Sequence, residues 1–133
     1  FGGPGWEWVP ERQQFYYHTF LVGQPDLNWR NPAVEAAQWA MVRGWLDRGV
    51  DGFRLDVFNA FLKDVDLRDN PVIEGTSAWS RLEHRYDLDH AEFADLIERF
   101  RAILDERPGR MSVGELFSGG TAAAAGTERR PYR

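Results

Sequence analysis

The chain has 133 residues, with 16 Lys plus Arg against 21 Asp plus Glu and a formal charge of −5. That mild acidity argues against a surface that gathers phosphates, which needs clustered cations, and fifteen of the sixteen basic residues are Arg, leaving Lys63 alone. With 43% hydrophobic and 14% aromatic residues the chain is too apolar to be disordered, and zero Cys excludes disulfides, thiol catalysis and Cys-based zinc sites.

No apolar run approaches the ~18 residues that span a bilayer, and no secretory leader is visible. The lack of Cys leaves the redox compartment open; without a leader, a cytoplasmic setting is the expectation. No membrane or nucleic-acid partner is expected. The chain begins at Phe1 in the midst of an aromatic-rich stretch, so preceding sequence is expected.

Residues 1–31 read as irregular structure and short strand. Phe1-Gly2-Gly3-Pro4-Gly5 is turn-rich, and Phe15-Tyr16-Tyr17-His18-Thr19-Phe20-Leu21-Val22 has strong β character. These aromatics suit packing against a sheet, and a minority could line a sugar pocket. A helix follows from Pro32 to Arg48: Asn31 can cap it, Pro32 suits its first position, and Gly49 stops it. Val34, Ala37, Met41, Val42, Trp45 and Leu46 mark its predicted apolar face.

Val50–Val57 is a strand candidate. Residues 57–89 form a long, poorly periodic stretch, with helical turns expected near Phe58–Lys63. Asp89-His90-Ala91-Glu92 resembles a capping box ahead of a second helix, whose apolar face is Phe93, Leu96, Ile97, Phe100, Ile103 and Leu104. Met111–Phe117 is the second strand. The order helix, strand, long loop, helix, strand implies parallel strands with helical crossovers, an α/β class. Two strands cannot close a barrel, and the Gly- and Ala-rich tail offers no core pattern. The chain reads as a slice of a larger α/β protein.

Asp56 and Glu115 stand near the C-terminal ends of these two strands, the end where active sites of parallel α/β folds gather. Two acids flanking a glycosidic bond can cleave it, one attacking the anomeric carbon and one protonating the leaving oxygen. Arg54 shares a strand face with Asp56 and would favour its ionised form. Taken alone, the same residues also fit solvated acids and a plain structural ion pair.

Gln24-Pro25-Asp26-Leu27-Asn28, Gly52-Phe53-Arg54-Leu55-Asp56 and Gly114-Glu115-Leu116, in this order and spacing, resemble sequence regions of the α-amylase superfamily of retaining glycoside hydrolases. The Phe1-Gly2-Gly3…Trp6 opening, Tyr17-His18…Phe20 and Asn28-Trp29…Asn31-Pro32 are similar to its α-glucosidase and oligo-1,6-glucosidase branch. The likeness covers roughly residues 1–117.

The resemblance implies an internal fragment of a (β/α)8 TIM barrel. Residues 1–22 would end a subdomain inserted after the third barrel strand, 23–118 would belong to the catalytic barrel, and 119–133 would be a low-complexity or truncated tail. Pro32–Arg48 would be the third barrel helix, Val50–Val57 the fourth strand, His90–Arg107 the fourth helix and Met111–Phe117 the fifth strand.

The resemblance also implies roles. Asp56 matches the nucleophile, Glu115 the general acid/base, and Arg54 the arginine that contacts nucleophile and substrate. Phe20 and Gln24 fall where the branch lines its sugar pocket. Val57 leans toward α-1,6 or mixed linkages. The expected substrate is a small α-glucosidic oligosaccharide, cleaved with retention, and Glu115 should keep its proton near neutrality.

No cofactor is implied, and no metal: a Lys-His pair after Asp56 is lacking, and His18, His84 and His90 show no ligand spacing. The family's third acid region and its first Asp…Asn-His region have no counterpart, so the 133-residue piece by itself is expected to be inactive. The alternatives are a transglycosylase or a sucrose or maltose isomerase on the same scaffold, and a non-catalytic relative such as an amino-acid transporter heavy chain. Retention of both acids argues against the last.

Overall fold

The structure, a computed structural model, describes residues 3–117. Its elements in chain order are β1 (Trp6–Val9), β2 (Gln14–Tyr17), α1 (Pro32–Asp47), β3 (Gly52–Leu55), a 3-10 turn (Phe58–Ala60), α2 (Phe93–Leu104) and β4 (Met111–Gly114). The expected tail at 119–133 lies outside the described residues.

β1 and β2 form an antiparallel hairpin in which Trp6 faces Tyr17 and Trp8 faces Phe15. The ring pairs meet at 5.3 Å and 4.9 Å between centroids, the aromatic cross-strand contact that holds short ribbons together. The strand expected through Val22 stops at Tyr17. Thr19 instead turns to Asp26, which takes its N–H at 3.1 Å and its hydroxyl at 2.5 Å.

α1 starts as its sequence dictates: Asn31 Oδ1 accepts from Ala33 N at 2.9 Å, with Pro32 at the first helical position. It ends at Asp47, one residue earlier than expected, with Gly49 beyond it at φ 98°. The buried stripe differs from the predicted one. Val42 and Leu46 are buried and Trp39 packs beside them, but Met41 and Trp45 are exposed. Apolar spacing alone admitted both flanks, and contact with α2 selects one.

The second helix corrects the capping box. Asp89 is left-handed at φ 54°, and Glu92 precedes the helix without a side-chain cap bond. Both carboxylates have distant partners: Asp89 Oδ1 accepts from Asn59, and Glu92 pairs with Arg30 at 3.1 Å. The helix runs only from Phe93 to Leu104, so His90 lies ahead of it, its Nε2 3.0 Å from Tyr86 O. Its predicted apolar face is otherwise buried: Phe93, Leu96, Phe100, Ile103 and Leu104, with Ile97 half-buried at the margin.

β3 and β4 pair in parallel, from Gly52 opposite Met111 to Leu55 opposite Gly114. Both are shorter than the expected Val50–Val57 and Met111–Phe117, because the chains turn away once past the paired residues. Two glycines permit the close approach. A Cβ on Gly52 would collide with the Met111 carbonyl, and one on Gly114 with the Phe58 ring. The helices cover this ribbon through two joined clusters. Val42, Leu46, Phe100, Ile103 and Leu104 form one; Phe58, Leu62, Phe93 and Leu96 form the other; Trp39 and Leu55 touch both. Each fully buried side chain of this kind stabilises the fold by about 1.5–3 kcal/mol.

Candidate active site

The ribbon's C-terminal end carries the acids. Asp56 is the first residue beyond β3 and Glu115 the first beyond β4, so parallel pairing puts them at the same height. Backbone bonds hold the two exits in register: Glu115 N donates to Leu55 O at 2.9 Å, and Phe58 N donates to Glu115 O at 3.3 Å.

Arg54 forks between the two carboxylates. Its Nη1 lies 2.8 Å from Asp56 Oδ1, and its Nη2 donates to Glu115 Oε2. The alternation that places Arg54 and Asp56 on one strand face is therefore realised. A hydrogen bond shared with the Glu115 carboxyl, and after it the Arg54 guanidinium, hold the Asp56 carboxyl below the usual range. All three side chains reach solvent, at 59% exposure for Arg54, 71% for Asp56 and 47% for Glu115.

Val57 is the backbone outlier of the site. It sits at φ 40°, ψ 44°, a left-handed conformation that β-branched residues rarely adopt and that costs of order 1–3 kcal/mol. The bend steers the chain out of the sheet directly after Asp56 and into the 3-10 turn. An apolar cavity of about 290 Å³ adjoins Arg54 and Asp56, walled by Trp39, Phe53, Phe61 and Phe100.

Phe20 reaches the site's margin, its ring edge-on to Phe117 with centroids 6.2 Å apart, two residues beyond Glu115. It also lines a second cavity, of about 470 Å³, between the hairpin and the 67–87 loop. Gln24 stays within its own turn, where its Oε1 accepts from Leu21 N at 3.4 Å. The structure thus joins Arg54, Asp56, Val57 and Glu115 at one place and brings Phe20 alongside. Gln24 makes no hydrogen bond to the acids.

Two residues that organise the site escaped sequence reading. Lys63 is 12% exposed; its Nζ lies 3.0 Å from Asp26 Oδ2 and donates to Thr19 Oγ1 at 2.8 Å and Ala60 O at 2.6 Å. It clasps the segment bearing Phe20 to the turn that follows Asp56. Its being the lone Lys was the available signal. Asn59 is fully buried, bonded to the backbone of Phe117; its signal was a single polar residue inside the apolar run Val57–Leu62. Among the described residues no group of three or more His, Cys, Asp or Glu is placed to hold a metal ion, and no helix is long and apolar enough to cross a membrane.

The parallel β-ribbon, backed by helices, thus carries an arginine that bridges two strand-end acids. The alpha amylase catalytic domain matches residues 1–128, and the chain belongs to that family, whose fold is a TIM barrel. A probable alpha-glucosidase of Rhizobium meliloti (strain 1021) is 44% identical over 126 residues, 87% of this chain and 23% of that protein.

Among solved structures, the alpha-glucosyl transfer enzyme XgtA is 44% identical, with a TM-score of 0.80 over 92% of this chain and 25% of its own. The trehalose-6-phosphate hydrolase of Bacillus licheniformis is 32% identical, with a TM-score of 0.72 over 88% of this chain and 20% of its own. The chain spans between a fifth and a quarter of the length of these relatives.

Proposed function

We propose that the protein containing this chain hydrolyses α-glucosidic bonds in small oligosaccharides with retention of configuration. The observation that carries the reading is the Arg54 fork, which holds two strand-end carboxylates together and favours negative charge on Asp56.

In this reading an Asp56 oxygen attacks the anomeric carbon. The glycosidic C–O bond breaks as the Glu115 proton passes to the departing oxygen, leaving a glucosyl ester on Asp56. Glu115, now a carboxylate, takes a proton from water. The water oxygen attacks the same carbon and displaces Asp56, and the two inversions give net retention. The hydrogen bond to the Glu115 carboxyl and the Arg54 guanidinium both favour the ionised form of Asp56 that the attack requires. The entering glycoside replaces that hydrogen bond and takes the space between the acids.

In the same proposal β3 and β4 are the fourth and fifth barrel strands, α1 and α2 the third and fourth helices. Residues 1–22 end an inserted subdomain, and 23–118 belong to the barrel. Phe20 and Gln24 contribute to the sugar pocket. Val57 biases the enzyme toward α-1,6 or mixed linkages, and the protein works in the cytoplasm.

A second reading, glucosyl transfer to an acceptor sugar in place of water, is favoured by the 44% identity to an alpha-glucosyl transfer enzyme. Incubating the intact protein with maltose, isomaltose and sucrose and identifying the products tests both. Free glucose of retained anomeric configuration supports hydrolysis; new oligosaccharides or isomerised sucrose support transfer; inactivity on all three overturns both.

A further inference from the structure

Asn59 completes a ladder that the strands themselves cannot continue. β3 and β4 cease to pair after Leu55 and Gly114, and the left-handed Val57 takes the β3 chain out of the sheet plane. Beyond that point the side-chain amide of Asn59 takes over, exchanging two bonds with the backbone of one residue, Phe117, as an antiparallel strand residue would. Phe117 N donates to Asn59 Oδ1 at 3.0 Å, and Asn59 Nδ2 donates to Phe117 O at 2.9 Å.

The remaining capacity of the residue is also used. Nδ2 donates to Asp89 Oδ1 at 3.1 Å, and Asp89 N donates to Asn59 O at 3.0 Å. At 1% exposure the amide has no water to compete for these bonds.

The consequence falls on Glu115. On its N-terminal side its backbone is pinned to Leu55, and its carbonyl accepts from Phe58 N. On its C-terminal side the next anchor is Phe117, held by Asn59. Asn59 is three residues after Asp56, and Phe117 is two after Glu115. The amide therefore ties the exit of one acid to the exit of the other.

We propose that Asn59 is a positioning residue: its amide sets where the Glu115 carboxyl stands relative to Asp56, and so the path of the proton to the leaving oxygen. This rests on the acid/base reading of Glu115 above. Substituting Asn59 then impairs the proton-dependent step more than the attack by Asp56. A purely structural asparagine would impair both alike, through the fraction of folded protein.

The test compares kcat/KM of the intact protein on two substrates, since kcat/KM reports only the steps up to cleavage. α-Glucosyl fluoride loses its leaving group with little need for a proton, whereas maltose requires one. In Asn59→Ala and Asn59→Asp we expect the maltose value to fall at least about tenfold further than the fluoride value, part of the 10²–10⁴-fold that general acid catalysis supplies. The ratio of the two, taken on one preparation, is insensitive to how much of it is folded.

Equal losses on both substrates, or no loss, overturn the proposal. Amide hydrogen exchange of the wild-type protein supplies a check that needs no variant: the Phe117 N–H, though beyond the last strand, should be protected. Rapid exchange there also overturns it. A wild-type protein that cleaves neither substrate overturns the hydrolase reading itself, an outcome seen before any variant is compared.

Discussion

Arg54 and Asp56 lie on one face of the β3 exit, with Nη1 and Oδ1 2.8 Å apart, while the other end of the guanidinium holds Glu115. One cation thus serves two carboxylates whose proposed tasks need opposite protonation states. Asp56 is held below the usual carboxylate range by its hydrogen bond with Glu115 and by Arg54, so it stays ionised as the pH falls until that lowered value is reached. Arg54→Gln removes one of the two causes. The acid limb of the kcat/KM profile of the intact protein should then move to higher pH, toward the ordinary range of an Asp. An unmoved acid limb would assign it to another group.

Asp56→Asn and Glu115→Gln should each lower turnover on maltose by at least about 10²-fold. Each change is nearly isosteric, so both variants should still unfold cooperatively as the intact protein does. Truncation separates the roles on a substrate with an activated leaving group. Azide should rescue Glu115→Gly by attacking the glucosyl ester on Asp56, giving a glucosyl azide of retained configuration, whereas in Asp56→Gly it stands in for the nucleophile and gives the inverted azide. Near-wild-type turnover in either Asn or Gln variant would reassign the roles.

Lys63→Met should destabilise the intact protein by about 2 kcal/mol, the scale of losing hydrogen bonds to a charged group in a partly buried setting. The shift is read from the midpoint of urea unfolding. The Thr19 to Asp26 segment, which carries Phe20, loses its clasp to Ala60. KM for maltose should therefore rise more than kcat falls. An unchanged urea midpoint would show the clasp to be dispensable.

Val57→Thr keeps the branched shape next to Asp56 and adds a hydroxyl. The relative kcat/KM for isomaltose over maltose should drop by about tenfold, within the ~1–3 kcal/mol that one pocket side chain can discriminate. Equal effects on both disaccharides would free Val57 from any part in linkage choice.

The 133-residue chain produced alone should show no sharp thermal transition and no glucosidase activity. Its β3–β4 ribbon has two strands, and Met111, Val113 and Leu116 are exposed along β4 and its exit. A cooperative transition together with turnover of an aryl α-glucoside would refute this.

What could be read from the sequence was local. Asn31-Pro32 sets the start of α1 through a cap that involves only its own first turn. The face shared by Arg54 and Asp56 follows from strand alternation, and the parallel pairing follows from the helix between the strands.

Where a residue's partner is far along the chain, local rules failed. Asp89 and Glu92 have the spacing of a capping box, but Asn59 and Arg30, 30 and 62 residues away, engage them first. The β1–β2 hairpin was hidden because Pro10-Glu11-Arg12-Gln13 lacks an Asn-Gly or Asp-Gly signal, and Gln13 takes the left-handed position at φ 51°. Asn59 and Lys63 stand out by residue type, but their roles could not be read for the same reason: Asn59 bonds Phe117 and Lys63 bonds Thr19, each more than 40 residues distant.

Gly114, directly before Glu115, has no space for a side chain because the Phe58 ring fills it. Evolutionary drift at these two positions must then be correlated. A lineage that acquires alanine or larger at 114 has to shrink the aromatic at 58 in compensation, and with it a wall of the cluster built on Phe93 and Leu96. The threshold of the second acid is consequently a place where homologous sequences should vary in pairs or remain fixed.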